Sequence, residues 1–296
     1  MNSHLLSIKL TLRWDESASK NQPTRELPRW WGRATHALVY HLLQQAKPEL
    51  AEELHEHDSA PRPFTASTLM GNFPQGLLDA NTDYSFRLTS LNEEISDILY
   101  QHTPKTTLNL DYIPFTVQAC DITSAITYQE LASANIFPQE NPSRQLGFRF
   151  LSPTAFKSAG RHVPLPTADL IFGSLLDKWN LFSPLSFPAE VRRYAAECLA
   201  INRYKLETRV IPLKGQSRRI GALGEIFFTS LNYDRYWLSL LHTLANFSTY
   251  AGIGIGTTMG LGQCIPLNRP LYPADTLQKS NPHVHNALLS SPKRDY

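Results

Sequence analysis

The segment from Leu199 to Ser230 reads LAINRYKLETRVIPLKGQSRRIGALGEIFFTS. It contains two long runs rich in apolar and β-branched residues, and the turn KGQS at 214–217 separates them. Two such runs joined by a short turn that contains glycine are typical of a β-hairpin. The segment therefore predicts two neighbouring antiparallel strands, and the elements on either side of them show which sheet they join.

A strand and a helix precede this hairpin, and a helix and a strand follow it. The preceding pair is predicted at 146–156 and 167–180, and the following pair at 234–250 and 260–267. The order β-α-β-β-α-β is that of the ferredoxin-like split unit. The second half of the chain is therefore predicted to form one ferredoxin-like domain.

The first half repeats this order less cleanly. Strands are predicted at 4–14, 63–71, 83–91 and 107–122, with one or two helices at 30–57 and a further helix at 92–102. The predicted fold class is therefore α+β, with two tandem ferredoxin-like (RRM-like, βαββαβ) domains.

The joint between the two domains is predicted at 133–145, which is polar and interrupted by prolines. This places an N-terminal domain with the candidate catalytic residues at 1–130. A C-terminal domain with the basic hairpin and a glycine-rich loop follows at 140–270. The tail at 271–296 shows no periodicity, and we expect it to be poorly ordered.

The composition favours a cytoplasmic protein. The 296 residues are 42% hydrophobic, and no apolar run approaches the length of a membrane span. The N-terminus lacks the apolar core of a signal peptide. The three cysteines, Cys120, Cys198 and Cys264, are far apart, which suits a reducing compartment and excludes a cysteine-based zinc site. We therefore expect neither a metal site nor a membrane partner.

Positive charge is concentrated around the hairpin. The net charge is only +2, but eight basic and two acidic residues fall between 192 and 219. The candidates are Arg203, Lys205 and Arg209 on one strand face and, beside the hairpin tip, Lys214, Arg218 and Arg219. Such a basic surface either binds nucleic acid or is only solvated, and the charge pattern leaves both open. The aromatic motif with which RRM proteins stack bases is missing from the sequence, so contacts through the backbone, loop and hairpin are favoured.

Five of the fourteen glycines lie in GIGIGTTMGLG at 252–262, between the last predicted helix and strand. Glycine permits positive φ and a close approach of the backbone, so the segment suggests main-chain N–H groups that face a phosphate. It matches neither the dinucleotide fingerprint nor the Walker loop, which needs a lysine. The candidate contacts are Gly252, Gly254, Gly256, Gly260 and Gly262, with the hydroxyls of Thr257 and Thr258.

Several stretches occur in the order found in one known family. They are ALVYHLLQQAKPELAEELHE at 37–56, RPFTAS at 62–67, FRFLSPTAF at 148–156, LPTADLIFGSLLDKWN at 165–180 and GIGIGTTMGLG at 252–262. On the double fold, this ordered set resembles the CRISPR-associated endoribonucleases that cut repeat RNA, the Cas6 family of RAMP proteins. Relatives often carry Lys or Arg inside the glycine-rich loop, and this chain does not. We therefore expect the hairpin tip to supply that charge.

The resemblance implies a sequence-specific endoribonuclease that cleaves CRISPR repeat RNA in precursor transcripts to generate crRNA. The implied reaction uses no metal or other cofactor: the ribose 2′-OH attacks, and the products are a 2′,3′-cyclic phosphate and a 5′-OH. A homodimer and other Cas proteins of an effector complex stay open as partners. The alternative is a non-catalytic RAMP subunit that binds crRNA in such a complex.

The first long helix carries polar side chains that point together. At 100° per residue, Arg33, His36, Tyr40 and Lys47 fall on one face, away from the apolar stripe. Such a face is often only solvated, but histidine is suited to proton transfer near neutral pH. The face is therefore a candidate site.

The catalytic candidates follow from the family resemblance. Archaeal relatives use a Tyr on the first helix, a later His and a Lys, and the matching positions are Tyr40, His55 and, in place of Lys, Arg62. Other relatives use a His within the first helix, for which His36 is the candidate, with Arg33 one turn before it. A guanidinium keeps its proton, so Arg62 is expected to stabilise phosphate rather than donate a proton. Which histidine is the acid and which is the base stays open.

Overall fold

Alternating apolar residues build the first sheet. The computed structural model of the chain describes residues 4–19, 27–56, 60–137, 141–212 and 217–267. In the first strand, Leu6, Ile8, Leu10 and Leu12 are all buried in the core of the N-terminal half. A period of two puts these side chains on one face of a sheet, and helices cover that face.

The N-terminal domain has five strands and four helices among its described residues. They are β1 (Leu5–Trp14), α1 (Glu16–Ser19), α2 (Gly32–Ala46), α3 (Pro48–Glu56), β2 (Phe64–Ala66), β3 (Asp83–Ser90), α4 (Glu93–His102), β4 (Thr107–Leu110) and β5 (Ile113–Ile126). The antiparallel sheet has the order β2-β3-β1-β5-β4. The strand predicted at 107–122 is in fact a hairpin, because Asp111 and Tyr112 turn the chain at φ of 49° and 68°.

The C-terminal domain repeats the arrangement. Its elements are α5 (Tyr128–Ile136), β6 (Gln145–Thr154), β7 (Phe156–Ser158), β8 (Arg161–Val163), α6 (Ala168–Phe182), α7 (Glu190–Cys198), β9 (Leu199–Pro212), β10 (Arg218–Ser230), α8 (Arg235–Ala251) and β11 (Cys264–Leu267). The main sheet has the order β11-β6-β10-β9, and β7 and β8 form a separate hairpin. The predicted tandem ferredoxin-like fold is confirmed.

Some elements were not predicted. The segment predicted as a joint at 133–145 begins with the last turn of α5, and this helix packs on α8. Helix α7 and the β7–β8 hairpin were also missed, because both are short and lie between stronger patterns. Lys214 and the tail at 271–296 lie outside the described residues.

Hydrogen bonds join the two domains at the C-terminal end of α8. The hydroxyl of Thr89 donates to the carbonyl of Tyr250 at 2.6 Å, and the Tyr250 hydroxyl lies 2.5 Å from that of Ser124. Arg87 donates to the side-chain oxygen of Gln263 at 2.9 Å, and burial lowers the pKa of its guanidinium. These contacts fix both ends of the glycine-rich loop, which lies between α8 and β11, against the first sheet.

Candidate active site

Three predicted side chains meet where α2 and α3 pack together. His36 and Tyr40 are one turn apart on α2, and their ring centroids are 4.8 Å apart. The chain turns after α2, so α3 brings His55 to Tyr40, with 6.2 Å between the ring centroids. The tyrosine ring thus contacts both imidazoles, one from each helix.

The Tyr40 hydroxyl connects this cluster to Arg62. It donates to the carbonyl of Leu54 at 3.1 Å and accepts from Nε of Arg62 at 3.0 Å. Arg62 also donates from Nη1 to the carbonyl of Ala60 at 3.2 Å. The structure therefore brings together the Tyr40, His55 and Arg62 set and the His36 alternative, which the sequence could not rank.

The polar residues that the helical period places on one face of α2 differ in exposure and in their contacts. Arg33 is exposed on the first turn of α2, and the Nδ1 atom of His36 is buried. Lys47 does not belong to the cluster, because it follows the end of α2 and forms an ion pair with Glu94. His36 can therefore meet a substrate only through Nε2.

The glycine-rich loop packs on the start of α2. Trp30 Nε1 donates to the carbonyl of Met259 at 2.8 Å, and the Gly260 amide donates to the carbonyl of Ala66 at 2.9 Å. At Gly32, a Cβ atom would lie 1.9 Å from the Met259 oxygen, so only glycine fits. A loop of the C-terminal domain is thus placed beside the first turn of the helix that carries Arg33 and His36.

The loop uses most of its amides internally. All five of its glycines have positive φ, between 59° and 85°. The amides of Gly252, Gly254, Gly260 and Gly262 already donate to protein oxygens, which corrects the expectation that they face a ligand. The amides of Gly256, Thr257 and Thr258 have no acceptor among the described residues. The tip at 256–258 is therefore the part of the loop whose amides are left for a ligand, and of its three residues Gly256 and Thr258 are half-buried while Thr257 is buried.

A buried lysine that the sequence analysis missed holds the base of the loop. Lys178 donates from Nζ to the carbonyls of Ala251, Gly252 and Gly254, at 2.9, 3.0 and 3.3 Å. These carbonyls lie at the negative end of the α8 dipole, which favours a cation. Burial lowers the pKa of Lys178 to about 8. The sequence feature that could have indicated this role is the position of Lys178 on the buried face of α6, one turn after Ser174.

The hairpin contributes Arg219 to the loop. Its Nη1 atom lies 3.1 Å from the position that a Cβ of Gly256 would occupy. Burial lowers the pKa of the guanidinium, and its Nε has no acceptor among the described residues. Arg218, its neighbour, is exposed. The expectation that the hairpin supplies charge beside the glycine-rich loop agrees with this geometry.

The basic stripe on β9 is less uniform than the alternation suggested. Arg203 covers the ring of Phe227 at 4.5 Å, and Arg209 lies 3.8 Å from Glu207. Lys205 is exposed and pairs across the sheet with Glu225 in the strand register. The basic residues do share one face, but acidic side chains interrupt it.

The opposite face of β9 is only partly buried. Tyr204 and Val210 are 66% and 54% exposed, because β9 is the edge strand of its sheet. Only Leu206 packs against the core from this face.

Comparisons with known proteins agree on one family. A family model described as "CRISPR-associated endoribonuclease Cas6" matches residues 148–264. The Cas6 endoribonuclease of Streptococcus thermophilus is 26% identical over 235 residues, which cover 76% of this chain and 89% of the relative. That of Mycobacterium tuberculosis is 26% identical over 156 residues, covering 50% of this chain and 49% of the relative.

Solved structures extend the match to the whole fold. A Cas6 product complex aligns with a TM-score of 0.70 and 25% identity, covering 89% of this chain and 100% of that chain. The Cas6 of Thermus thermophilus aligns with a TM-score of 0.64 and 25% identity, covering 90% and 100%. The family model, the curated relatives and these solved structures all carry the Cas6 name, and the chain is similar to each of them. Its likeness to a RAMP protein that binds different RNA substrates, at 17% identity and a TM-score of 0.56, shows the fold alone.

The described helices were also compared with the length and hydropathy of a membrane span. Within the described ranges, none is both long enough and apolar enough to cross a bilayer.

Proposed function

We propose that this chain cleaves CRISPR repeat RNA in precursor transcripts and so generates crRNA, without a metal ion. The observation that carries the proposal is the contact between the glycine-rich loop and the first turn of α2. Through this contact the loop, with Arg219 beside Gly256, meets the helix that carries His36 and Tyr40, and this supports the proposal. The names of the relatives, which are endoribonucleases, support the same activity.

The proposed reaction is an internal transesterification. The ribose 2′-oxygen forms a bond to phosphorus as the bond from phosphorus to the 5′-oxygen breaks. A base takes the proton of the 2′-OH, and an acid gives a proton to the leaving 5′-oxygen. The products are a 2′,3′-cyclic phosphate and a 5′-OH, and no other reactant is consumed.

Two imidazoles are available for the two proton transfers. His36 would act through Nε2, since its Nδ1 is buried. His55 is exposed at the end of α3, with its ring centroid 6.2 Å from that of Tyr40. Imidazoles are suited to both roles near neutral pH. We propose these two residues as the acid–base pair.

Arginines would stabilise the charge on the phosphorane. Arg33 lies one turn before His36, and Arg62 is held by the Tyr40 hydroxyl. A guanidinium can donate two hydrogen bonds to one phosphate and does not lose its proton. Because its only proton goes to Leu54, Tyr40 is proposed to position Arg62 and the two imidazoles rather than to donate to the 2′-OH.

The rest of the RNA would be bound by the C-terminal domain. The tip of the loop at 256–258 offers amides to a phosphate, and Arg219 lies beside it. Arg218 and the basic residues of β9 extend this surface away from the loop. Phosphate contacts of this kind position RNA without reading its sequence.

Cleavage in a chelator tests the proposal. The purified protein is incubated in EDTA with end-labelled CRISPR repeat RNAs and with the same RNAs carrying a single 2′-deoxyribose at the cut site. We expect a single cut, a product end that resists labelling until the cyclic phosphate is removed, and no cut in the deoxy substrate. RNA that is bound but left intact would instead indicate the non-catalytic RAMP subunit. Cleavage that requires Mg²⁺ would contradict the metal-independent reaction.

A further inference from the structure

A cavity of about 480 Å³ opens between the two domains, beside the candidate active site. Pro61, the neighbour of Arg62, lines it from the N-terminal domain. The β7–β8 hairpin, α6 and the start of the glycine-rich loop at Gly254 and Ile255 line it from the C-terminal domain. Cavities of this size bind small ligands or single nucleotides. The cavity thus has Arg62 of the candidate site next to one lining residue and the glycine-rich loop on its other side.

Most charged groups that line the cavity are already bonded. Asp177 accepts from Nη2 of Arg192 with both carboxylate oxygens, at 2.9 and 2.8 Å. Lys178 is held by backbone carbonyls. Asp169 and Lys157 remain, and neither forms a hydrogen bond or ion pair within the described part of the chain. The cavity therefore presents one carboxylate and one ammonium that are open to a ligand.

A free carboxylate in an RNA-binding cleft is informative about its ligand. It repels phosphate, so it binds RNA through N–H donors on a base edge or through the hydroxyl of a ribose. Asp169 is half-buried on the first turn of α6. Guanine presents two adjacent donors, N1–H and N2–H, with the acceptor O6 beside them. A carboxylate and an ammonium can therefore bind the same edge of this base, whereas no other RNA base offers two adjacent donors.

We propose that this cavity binds an unstacked guanine of the repeat RNA, with Asp169 accepting from N1–H and N2–H and Lys157 donating to O6. The inference rests on the proposed function, since it requires RNA in the cleft between the domains. Leu170 and Ile255 supply apolar walls for the faces of the base. RNA-binding proteins recognise splayed-out bases in this way, by contacts to their faces and hydrogen bonds to their edges. The site would give the protein sequence specificity that its phosphate contacts lack.

Inosine substitution tests the site without changing the protein. Repeat RNA with a 2′-deoxyribose at the cut site is bound by the wild-type protein in EDTA, and each guanine is replaced in turn by inosine, which lacks the N2 amino group. We expect one position at which the affinity falls about 10-fold, as for the loss of one base-edge hydrogen bond. Elsewhere in single-stranded RNA, inosine should be tolerated.

Variants then connect that position to the cavity. Asp169→Asn should remove the discrimination against inosine and favour adenine at that position, because an amide offers one acceptor and one donor. Lys157→Gln, on β7, should weaken binding of the guanine RNA and leave the inosine difference in place. Glu197→Gln, which removes an exposed carboxylate of α7 outside the cavity, is the matched control and should change neither.

The outcomes separate the two proposals. A wild-type protein that binds and cuts the repeat but tolerates inosine at every guanine overturns the cavity inference alone. An equal loss of affinity for all RNAs in Asp169→Asn also overturns it, because the effect is then one of net charge. RNA that is neither bound nor cut overturns the proposed function as well. If Asp169→Asn does not fold, the inosine series and Lys157→Gln still decide the matter.

Discussion

The two domains share one fold but offer different chemistry at the site. The N-terminal domain supplies side chains for proton transfer, with His36 and Tyr40 in ring contact on α2. The C-terminal domain supplies backbone amides from a loop whose glycines all have positive φ, and cations from β10. In the N-terminal domain the candidate side chains lie on the helix that follows the first strand. In the C-terminal domain the glycine-rich loop comes directly before the last strand. A repeated unit can thus be specialised by its connections while its sheet is kept.

The largest loss of activity is expected from variants of the two histidines to which proton transfer is assigned in the N-terminal domain. His36→Ala and His55→Ala should each lower the single-turnover cleavage rate by about 10²- to 10⁴-fold, while the affinity for repeat RNA stays nearly unchanged. His41→Ala is the matched control, since His41 is an exposed histidine of α2 that bonds only Gln45 among the described residues. Wild-type rates in both variants would move the proton-transfer site elsewhere.

The contact between the domains is tested by Gly32→Ala. Helix propensity alone would favour alanine by about 0.5–1 kcal/mol. The new Cβ, however, would lie 1.9 Å from the Met259 oxygen, so the loop must move away from α2. We expect a net loss of about 1–3 kcal/mol in the free energy of unfolding, measured with urea, and slower cleavage.

Gly173→Ala on α6 is the control for this effect. There the added Cβ meets only the flexible side chain of Arg192, 2.6 Å from Nε. The loss of stability should therefore be smaller than at Gly32. If Gly32→Ala is as stable and active as the wild type, the loop does not depend on its contact with α2.

The role of the C-terminal domain in binding phosphate is tested at the hairpin. The double variant Arg218→Ala with Arg219→Ala should weaken RNA binding and lower the slope of log K against log salt by about 2, while cleavage of saturating RNA is less affected. Arg193→Ala, an exposed arginine of α7, should leave the slope unchanged. A slope that is the same in all three proteins would remove the hairpin from the RNA footprint.

The smallest effect concerns the lysine under the loop. The pKa of Lys178 is about 8 in the folded protein and 10.5 ordinarily. Between these values the unfolded chain binds more protons than the folded chain, so the contribution of Lys178 to the free energy of unfolding rises with pH. The stability advantage of the wild type over Lys178→Met should therefore grow between pH about 8 and about 10 in urea unfolding.

The comparison of the wild type with Lys178→Met also cancels the contributions of other titratable side chains. Burial raises the pKa of Cys264 to about 11, which acts in the opposite direction, but the thiol is present in both proteins. A stability difference that is constant with pH would mean that Lys178 titrates at its ordinary pKa in the folded protein.

Part of the site could be predicted from sequence because helical periodicity is local. His36 and Tyr40 are four residues apart, so any α-helix brings them together. The place of His55 depended instead on the turn between α2 and α3, and only the family resemblance pointed to it. Lys178 and the cavity beside Asp169 were missed, since a lysine in an apolar helix gives no sign of which carbonyls it will meet.

The two βαββαβ units can be predicted from the sequence, because the alternation and spacing that specify strands and helices act over a few residues. The contact between the loop of one unit and the helix of the other arises only in the folded chain. Trp30 and Met259 are 229 residues apart in the chain and form a hydrogen bond. No local pattern encodes such a pair, because its geometry depends on how two complete sheets pack together.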